Sequence, residues 1–183
     1  MHITANQQKG LSMIEVLVTI VILAFGLLGL AGLQSRLQLS ELESYQRAQG
    51  LILLDDMANK IAVNRNNAAS YVTGTSFTGV GVTCPTSTAT RKDADMNDWC
   101  NTLQGASETS STSKIGAFIG GRGCVESLGS GQYMVTVAWQ GLAAITAPPT
   151  SVGCGKNAYN NTTSCSNDQC RRVLTTIVRI ATL

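Results

Sequence analysis

The hydrophobic residues of this chain form one long block near the amino terminus and shorter periodic patterns after it. A polar stretch ends in Lys9-Gly10, and the residues that follow, 11–33, are apolar almost throughout, with a single carboxylate at Glu15. A helix rises about 1.5 Å per residue, so this run is long enough to cross a hydrocarbon layer roughly 30 Å thick. The pattern predicts a membrane-spanning helix over residues 11–33.

A second helical pattern follows directly, without a predicted break. Residues 34–64 contain no proline and one glycine, Gly50. Apolar residues recur there mostly at steps of three or four, which marks one face of an amphipathic helix. They are Leu37, Tyr45, Ala48, Leu51, Leu54, Ala58 and Ile61. We expect one continuous helix from about Leu11 to Ile61, roughly 75 Å long. The segment 34–66 takes in its amphipathic second half and the helix end, which the polar residues 64–67 indicate.

The remainder, residues 67–183, has the pattern of a small α+β domain. The clearest strand covers 132–140, and its alternating apolar residues are Tyr133, Val135, Val137 and Trp139. A second strand covers 171–180, with Leu174, Val178 and Ile180 on one side. Alternation of this kind is typical of half-buried strands. We expect the two strands to pair antiparallel, with a third or fourth strand from weaker segments, in a sheet packed on the second half of the helix.

The segments before the first strand carry weaker patterns. Met96, Trp99 and Leu103 share a face of a short helix over 93–103, with Asp93 or Asp95 placed as its N-cap. Residues 71–83 are predicted to be irregular or weakly extended. The alternation of Ile115, Ala117 and Ile119 suggests a strand, and residues 120–123 a turn. A long connection, 142–167, separates the two clear strands.

Six cysteines all lie after the membrane-length block. They are Cys84, Cys100, Cys124, Cys154, Cys165 and Cys170. An even number predicts disulfides in an oxidising compartment. The only histidine, His2, precedes the block, so a zinc site would need four thiolates at irregular spacing, and we expect no metal or other cofactor. The sequence does not choose among the pairings. Cys84 with Cys100 is the most local, and the other four would pair among themselves, with Cys154–Cys170 as one candidate.

Charge suggests how the chain is oriented in the membrane. Charge and residue content also argue against nucleic-acid binding and enzyme activity. Lys9 and the amino terminus precede the span, which places them in the cytoplasm and the later residues, with their cysteines, in the periplasm. The 13 basic and 11 acidic residues form no basic segment, so we expect no direct nucleic-acid partner. No nucleophile–base pair is visible, and without residues 1–10 the chain has no histidine. We expect no enzyme activity.

Glu15 needs a partner, because a charge inside a membrane costs roughly 2.5–3.5 kcal/mol on insertion scales. Cleavage between Gly10 and Leu11 would create an ammonium group four residues before Glu15, which is one helical turn away. That amine could neutralise Glu15 in the same chain or in a neighbouring chain. The alternatives are an ordinary membrane anchor that tolerates the charge near its end, and a Sec signal peptide. The second fits poorly, since its apolar region is about 7–15 residues long and ends at an A-x-A-like site.

Glycines recur within the apolar block at Gly26, Gly29 and Gly32. Small residues let helices approach closely in lipid, whereas glycine weakens a helix by roughly 1 kcal/mol relative to alanine. The stretch is therefore expected to pack tightly or to unwind partly. The alternative is the ordinary enrichment of glycine in membrane helices.

The sequence from Lys9 to Leu17 resembles the type IV prepilin signal, which is cut after glycine and methylated on the new first residue. Members usually have phenylalanine where this chain has Leu11. Further fragments resemble PilV-type minor pilins. They are 14–18 (IEVLV), 26–34 (GLLGLAGLQ), 56–61 (DMANKI), 121–124 (GRGC), 137–141 (VAWQG) and 170–173 (CRRV). The resemblance covers both ends of the chain and becomes weaker between residues 71 and 115.

The resemblance implies a type IV pilin fold and a structural role. Prepilin peptidase would remove the leader 1–10 and methylate Leu11, and Glu15 would pair with the terminal amine of an adjacent subunit. The chain would wait in the inner membrane and then join other minor pilins, the major pilin and an assembly platform to prime pilus growth, near the tip and with a possible tip adhesin. Relatives support twitching motility and adhesion. The alternative is a minor pseudopilin of a type II secretion system.

Overall fold

A computed structural model describes most of the chain. The described residues are 12–74, 76–106, 109–110, 113–114, 116, 119–160 and 163–181. The chain divides into two compact units, Met1–Glu41 and Leu42–Leu183.

The first unit contains the start of helix α1, Met13–Val63. Ser12 precedes the helix as its cap: its side-chain oxygen accepts a hydrogen bond from the Ile14 N–H at 3.3 Å, and its carbonyl accepts one from the Glu15 N–H at 3.0 Å. Such caps satisfy amides that have no partner within the helix. By length and composition, α1 could cross a membrane. No residue of its most apolar 18-residue stretch is buried against the rest of the chain. The long apolar helix is confirmed.

In the second unit, α1 contributes one face to a core. Its buried residues are Gln46, Gly50, Leu53, Leu54, Met57 and Ile61. The predicted stripe is therefore only partly right: Leu54 and Ile61 are buried, but Tyr45 is 46% and Leu51 44% exposed. The helix carries apolar residues on more than one face, so periodicity alone could not select the face that the core covers.

Helix α1 ends where the polar cluster predicts, and two short helices follow. A 3₁₀ helix covers Arg65–Tyr71, and α2 covers Arg91–Leu103. The predicted caps Asp93 and Asp95 are wrong, because Thr90 is the N-cap and its hydroxyl accepts the Asp93 N–H at 3.1 Å. Asp95 instead lies inside α2 and is buried, where it accepts a hydrogen bond from the Tyr71 hydroxyl. Burial, reinforced by this bond, raises the pKa of Tyr71 to about 12.

The second unit contains a four-stranded antiparallel sheet in the order β1-β4-β5-β6. Its strands are β1 (Thr78–Gly79), β4 (Arg122–Gly129), β5 (Gln132–Gln140) and β6 (Arg171–Arg179). Two more short strands, β2 (Thr109–Ser110) and β3 (Ser113–Lys114), form a separate antiparallel pair among the described residues. The antiparallel pairing of β5 with β6 is as predicted, with Val135 opposite Thr176. The fold is α+β and pilin-like.

Strand β4 is the main element that sequence reasoning missed. The expected turn at 120–123 is wrong in its second half, since Arg122 and Gly123 already belong to β4. In the strand suggested by alternation at 115–119, Ile115 and Ala117 lie outside the described residues and Ile119 is in a turn. Strands β4 and β5 are joined by Ser130 and Gly131, both with positive φ, as in tight hairpin turns.

The core lies on both faces of the sheet. On one face, buried side chains of α1, α2, β4 and β5 surround Trp99, which is fully buried and donates its ring N–H to the Leu53 carbonyl at 2.9 Å. Gly123 lies beneath this ring, and a Cβ atom there would come within 2.2 Å of it. A smaller cluster covers the other face and consists of Cys124, Ala138, Cys154 and Tyr159. The long connection before β6 therefore packs against the sheet.

Candidate assembly segment and disulfide-bonded head

The start of α1 is the first candidate site. Glu15 lies in its first turn, where the helix dipole favours a negative charge. It is the only charged residue in 12–33, and the described part of the chain offers it no ion pair. Thr19, the polar residue one turn later, donates its hydroxyl to the Val16 carbonyl at 2.8 Å and so has a partner within the helix. Gly10 and Leu11, the expected cleavage and methylation positions, lie outside the described residues.

The three glycines of the apolar block lie in unbroken helix. For each of Gly26, Gly29 and Gly32, a Cβ atom would meet nothing within 4 Å. The fold of the single chain therefore gives no reason for glycine at these positions. Each glycine weakens the helix by roughly 1 kcal/mol relative to alanine, and the close packing of this stretch stays a prediction.

Three disulfides hold the head. Cys84 pairs with Cys100, which is the local pair that the sequence suggested. The other two bonds are Cys124–Cys154 and Cys165–Cys170, so the candidate pairing of Cys154 with Cys170 is wrong. The physical reason is the missed strand: Cys124 lies on β4, and the long connection crosses that face of the sheet at Cys154. Cys170, the residue before β6, closes a short loop with Cys165.

A buried ion pair organises the same connection. Arg171 is 1% exposed, and its Nε lies 3.2 Å from the Asp168 carboxylate. The guanidinium also donates to the carbonyls of Val152 (2.8 Å) and Cys154 (3.1 Å). Asp168 accepts the Asn157 N–H at 2.7 Å with its other oxygen. Arg171 and Asp168 together thus hold the backbone of the long connection at residues 152, 154 and 157.

A second arginine, Arg122, stacks between two aromatic rings. Its guanidinium carbon lies 4.8 Å from the centre of Phe77 and 4.7 Å from that of Tyr159, distances typical of cation–π contacts. The Tyr159 hydroxyl donates to the Gly120 carbonyl at 2.8 Å, and burial raises the pKa of Tyr159. The fragment 121–124 therefore has a structural role in both core clusters, which its sequence did not reveal.

A third arginine joins the fragments 137–141 and 170–173. Arg172 lies 3.1 Å from the Glu43 carboxylate of α1 and donates to the Ala143 carbonyl at 2.7 Å. Gly141 leaves room for this side chain, since a Cβ atom there would lie 2.5 Å from the guanidinium carbon. The Leu142 N–H donates to the same Glu43 oxygen. These contacts fasten the start of the long connection to the helix.

The head has a shallow groove of about 540 Å³. Its lining consists of Phe77, Glu126, Thr150, Ser151, Gly153, Gly155, Lys156 and Asn157. Burial raises the pKa of Glu126, which is the only carboxylate in the lining. No histidine or thiol faces it there. Within the described part of the chain, no group of His, Cys, Asp or Glu side chains could hold a metal ion.

Comparison with known proteins identifies the amino-terminal segment alone. Residues 5–31 match the family model described as the prokaryotic N-terminal methylation motif. Those residues include Gly10, Leu11 and Glu15. The searches of curated proteins and of solved structures each found no match. The motif indicates a type IV pilin-like protein, a class that includes pseudopilins, and the apolar helix is consistent with the single-pass membrane anchor typical of that class. Partners in a pilus or pseudopilus are implied.

Proposed function

We propose that this chain is a minor pilin of the PilV type, which joins a minor-pilin complex that primes type IV pilus assembly and so supports twitching motility and adhesion. One observation carries the proposal: the methylation motif at 5–31 coincides with a membrane-length apolar segment, in which Glu15 is the only charged residue of 12–33 and has no ion-pair partner among the described residues. The fragments quoted from the head support the PilV subtype. The proposed role is structural and not enzymatic.

The proposal assigns a role to each part of the chain. Residues 1–10 are the leader removed by prepilin peptidase, 11–33 the membrane and filament-core helix, 34–66 its amphipathic half, and 67–183 the disulfide-bonded head. The amino terminus lies in the cytoplasm and the head in the periplasm, until the subunit enters the pilus near its tip. The three disulfides fit this route, because they form and persist in the periplasm and outside the cell.

Glu15 acts in this proposal as a register device between subunits. An unpaired carboxylate among packed apolar helices is penalised, so a neighbour's methylated Leu11 amine is favoured at one axial position only. Gly26, Gly29 and Gly32 would then allow close approach of neighbouring helices further along the span.

Replacing Glu15 with alanine should leave insertion and leader removal intact and should reduce incorporation into filaments by at least about tenfold, since one lost charge pair in an apolar site exceeds 1.4 kcal/mol. Immunoblots of sheared filaments and of membranes, compared as a ratio, measure this. Glu41→Ala is the matched control, because Glu41 lies on the same helix beyond the apolar block and is exposed. Equal incorporation of the two variants would contradict the role of Glu15.

A pseudopilin of a type II secretion system carries the same motif and is the rival function. Deletion of the gene separates the two. Loss of surface pili and of twitching, restored by the full-length chain, supports the minor pilin. Normal pili together with accumulation of a secreted enzyme in the periplasm would support the pseudopilin and overturn the proposal.

A further inference from the structure

Strand β6 is an edge of the sheet, and within the described residues its outer side pairs with no strand. The Ile180 N–H donates to the Gly131 carbonyl at 2.8 Å, and the Gly141 N–H to the Cys170 carbonyl at 2.7 Å. The N–H and C=O groups of successive residues point to opposite sides of an antiparallel strand. The backbone groups of even-numbered residues of β6 therefore point to β5, and those of odd-numbered residues point away from the sheet. The outward residues of β6 are Val173, Thr175, Ile177 and Arg179, together with Arg171, whose N–H already donates to the Asp168 carbonyl at 3.0 Å.

The apolar side chains of β6 are only partly covered. Leu174, Val178 and Ile180 pack against the main core but remain partly exposed, whereas Val135 and Val137 on the neighbouring strand are fully buried. On the opposite face of β6, Ile177 is 47% exposed. At this edge, backbone groups have no strand to pair with and apolar side chains are only partly covered. One additional strand would pair with the backbone groups and cover the side chains.

The edge has little of the usual protection against pairing. Proteins protect edges with short strands, charged side chains (lysine above all) or proline, and the exposed charge on β6 is Arg179. The opposite edge, β1, has only two residues, but β6 has nine and contains neither proline nor lysine.

The charges on β6 select the kind of partner. The strand has no acidic residue, and its ion-paired arginines, Arg171 and Arg172, use the carboxylates of Asp168 and Glu43. Arg179 has no acidic partner in the described part of the chain. Two copies of β6 side by side would bring arginines together without a carboxylate between them. A strand that carries a carboxylate near Arg179 is favoured instead.

We propose that β6 is a strand-addition site: an extended segment from the head of a different pilin-like subunit pairs with its outer edge, covers Leu174, Val178 and Ile180, and places a carboxylate against Arg179. The identity of the partner rests on the proposed function; the open edge itself does not.

Site-specific photo-crosslinking in the native host tests this with the full-length chain. The photoreactive residue p-benzoylphenylalanine replaces Ile177, and in a control it replaces Leu128 of β4, which is 49% exposed. Position 177 should crosslink to a segment of another pilin-like subunit with alternating apolar residues and an acidic residue, identified by mass spectrometry. Position 128 should not crosslink to that segment.

A backbone variant then tests pairing directly. Thr175→Pro removes an outward N–H without removing a bond to β5, as proline permits on an edge, and should lower the crosslink yield by about tenfold. Thr175→Val keeps the N–H and should crosslink normally. Should Thr175→Pro fail to form its three disulfides, Arg179→Glu replaces it and should also lower the yield, by repelling the partner's carboxylate.

Each other outcome overturns the inference: no crosslink from position 177, an unchanged yield in the backbone or charge variant, a crosslink to a second copy of this chain, or one to an apolar helix. The presence of the processed chain in sheared filaments is measured on the same cells and reports separately on the proposed function. A chain that is found in filaments without a crosslink at position 177 would refute strand addition alone.

Discussion

Replacing Gly10 with valine is expected to abolish removal of the leader, so that the whole population of the protein stays ten residues longer than the mature chain. The reason is steric, because a branched side chain would occupy the position where the prepilin signal has a glycine next to the cleaved bond. Without cleavage no ammonium forms at Leu11, and Glu15 loses the cation proposed to neutralise it. Processing and assembly should therefore both fail.

Intact-mass spectrometry of the purified protein measures this result. The unmodified chain should begin at a methylated Leu11 and contain no free thiol. Gly32→Ala is a suitable control, since it changes a glycine of the same segment but lies far from the cleaved bond and has open space around it. A mature-length product from Gly10→Val, or a native chain that begins elsewhere, would refute the assignment of the leader.

Replacing Asp168 with asparagine is expected to lower the free energy of unfolding by about 3–5 kcal/mol, the usual cost of leaving one partner of a buried ion pair alone. Arg171 is 1% exposed and could not regain water without opening the loop. Asparagine fits the position otherwise, because Asp168 has a positive φ of 61°, which asparagine tolerates. It can also still accept the Asn157 N–H. With its oxygen kept on that N–H, the asparagine NH₂ takes the place of the oxygen that faces Arg171 Nε, so the variant replaces an ion pair with two facing donors.

The matched control is Glu43→Gln, which removes the carboxylate beside Arg172. Glu43 is 38% exposed at its side chain, so solvent screens that pair and the expected loss is about 0–1 kcal/mol. Urea unfolding of the full-length protein in detergent, followed by the fluorescence of the buried Trp99 and Trp139, measures both. Equal small losses would show that the Asp168–Arg171 pair does not hold the connection in place.

Elements with a strong local signal were predictable from the sequence. Helix α1 and strands β5 and β6 are long and strongly patterned, and the structure has all three. Strand β4 was not predictable, because Gly123 and Gly129 are weak strand formers and are typical of turns. Its omission also led to the wrong candidate pairing for Cys154, since Cys124 had no assigned place.

The candidate sites also differ in how far the sequence could predict them. The signal around Gly10, Leu11 and Glu15 is a contiguous segment, and the family comparison matches that segment. The contacts that hold the head are tertiary. Gly123 beneath Trp99 and Asp168 beside Arg171 have no periodicity that could indicate them, and a prediction of either contact requires the sheet order first.

The open space around Gly26, Gly29 and Gly32 has a consequence for any library of variants at these positions. Small apolar substitutions there should leave the stability of the single chain unchanged or slightly higher. Selection for fibre formation would therefore act on how well neighbouring subunits pack together. In the proposed filament, the tolerated volumes would form a map of how near the adjoining helix comes at each turn. Sequencing the survivors would give that map.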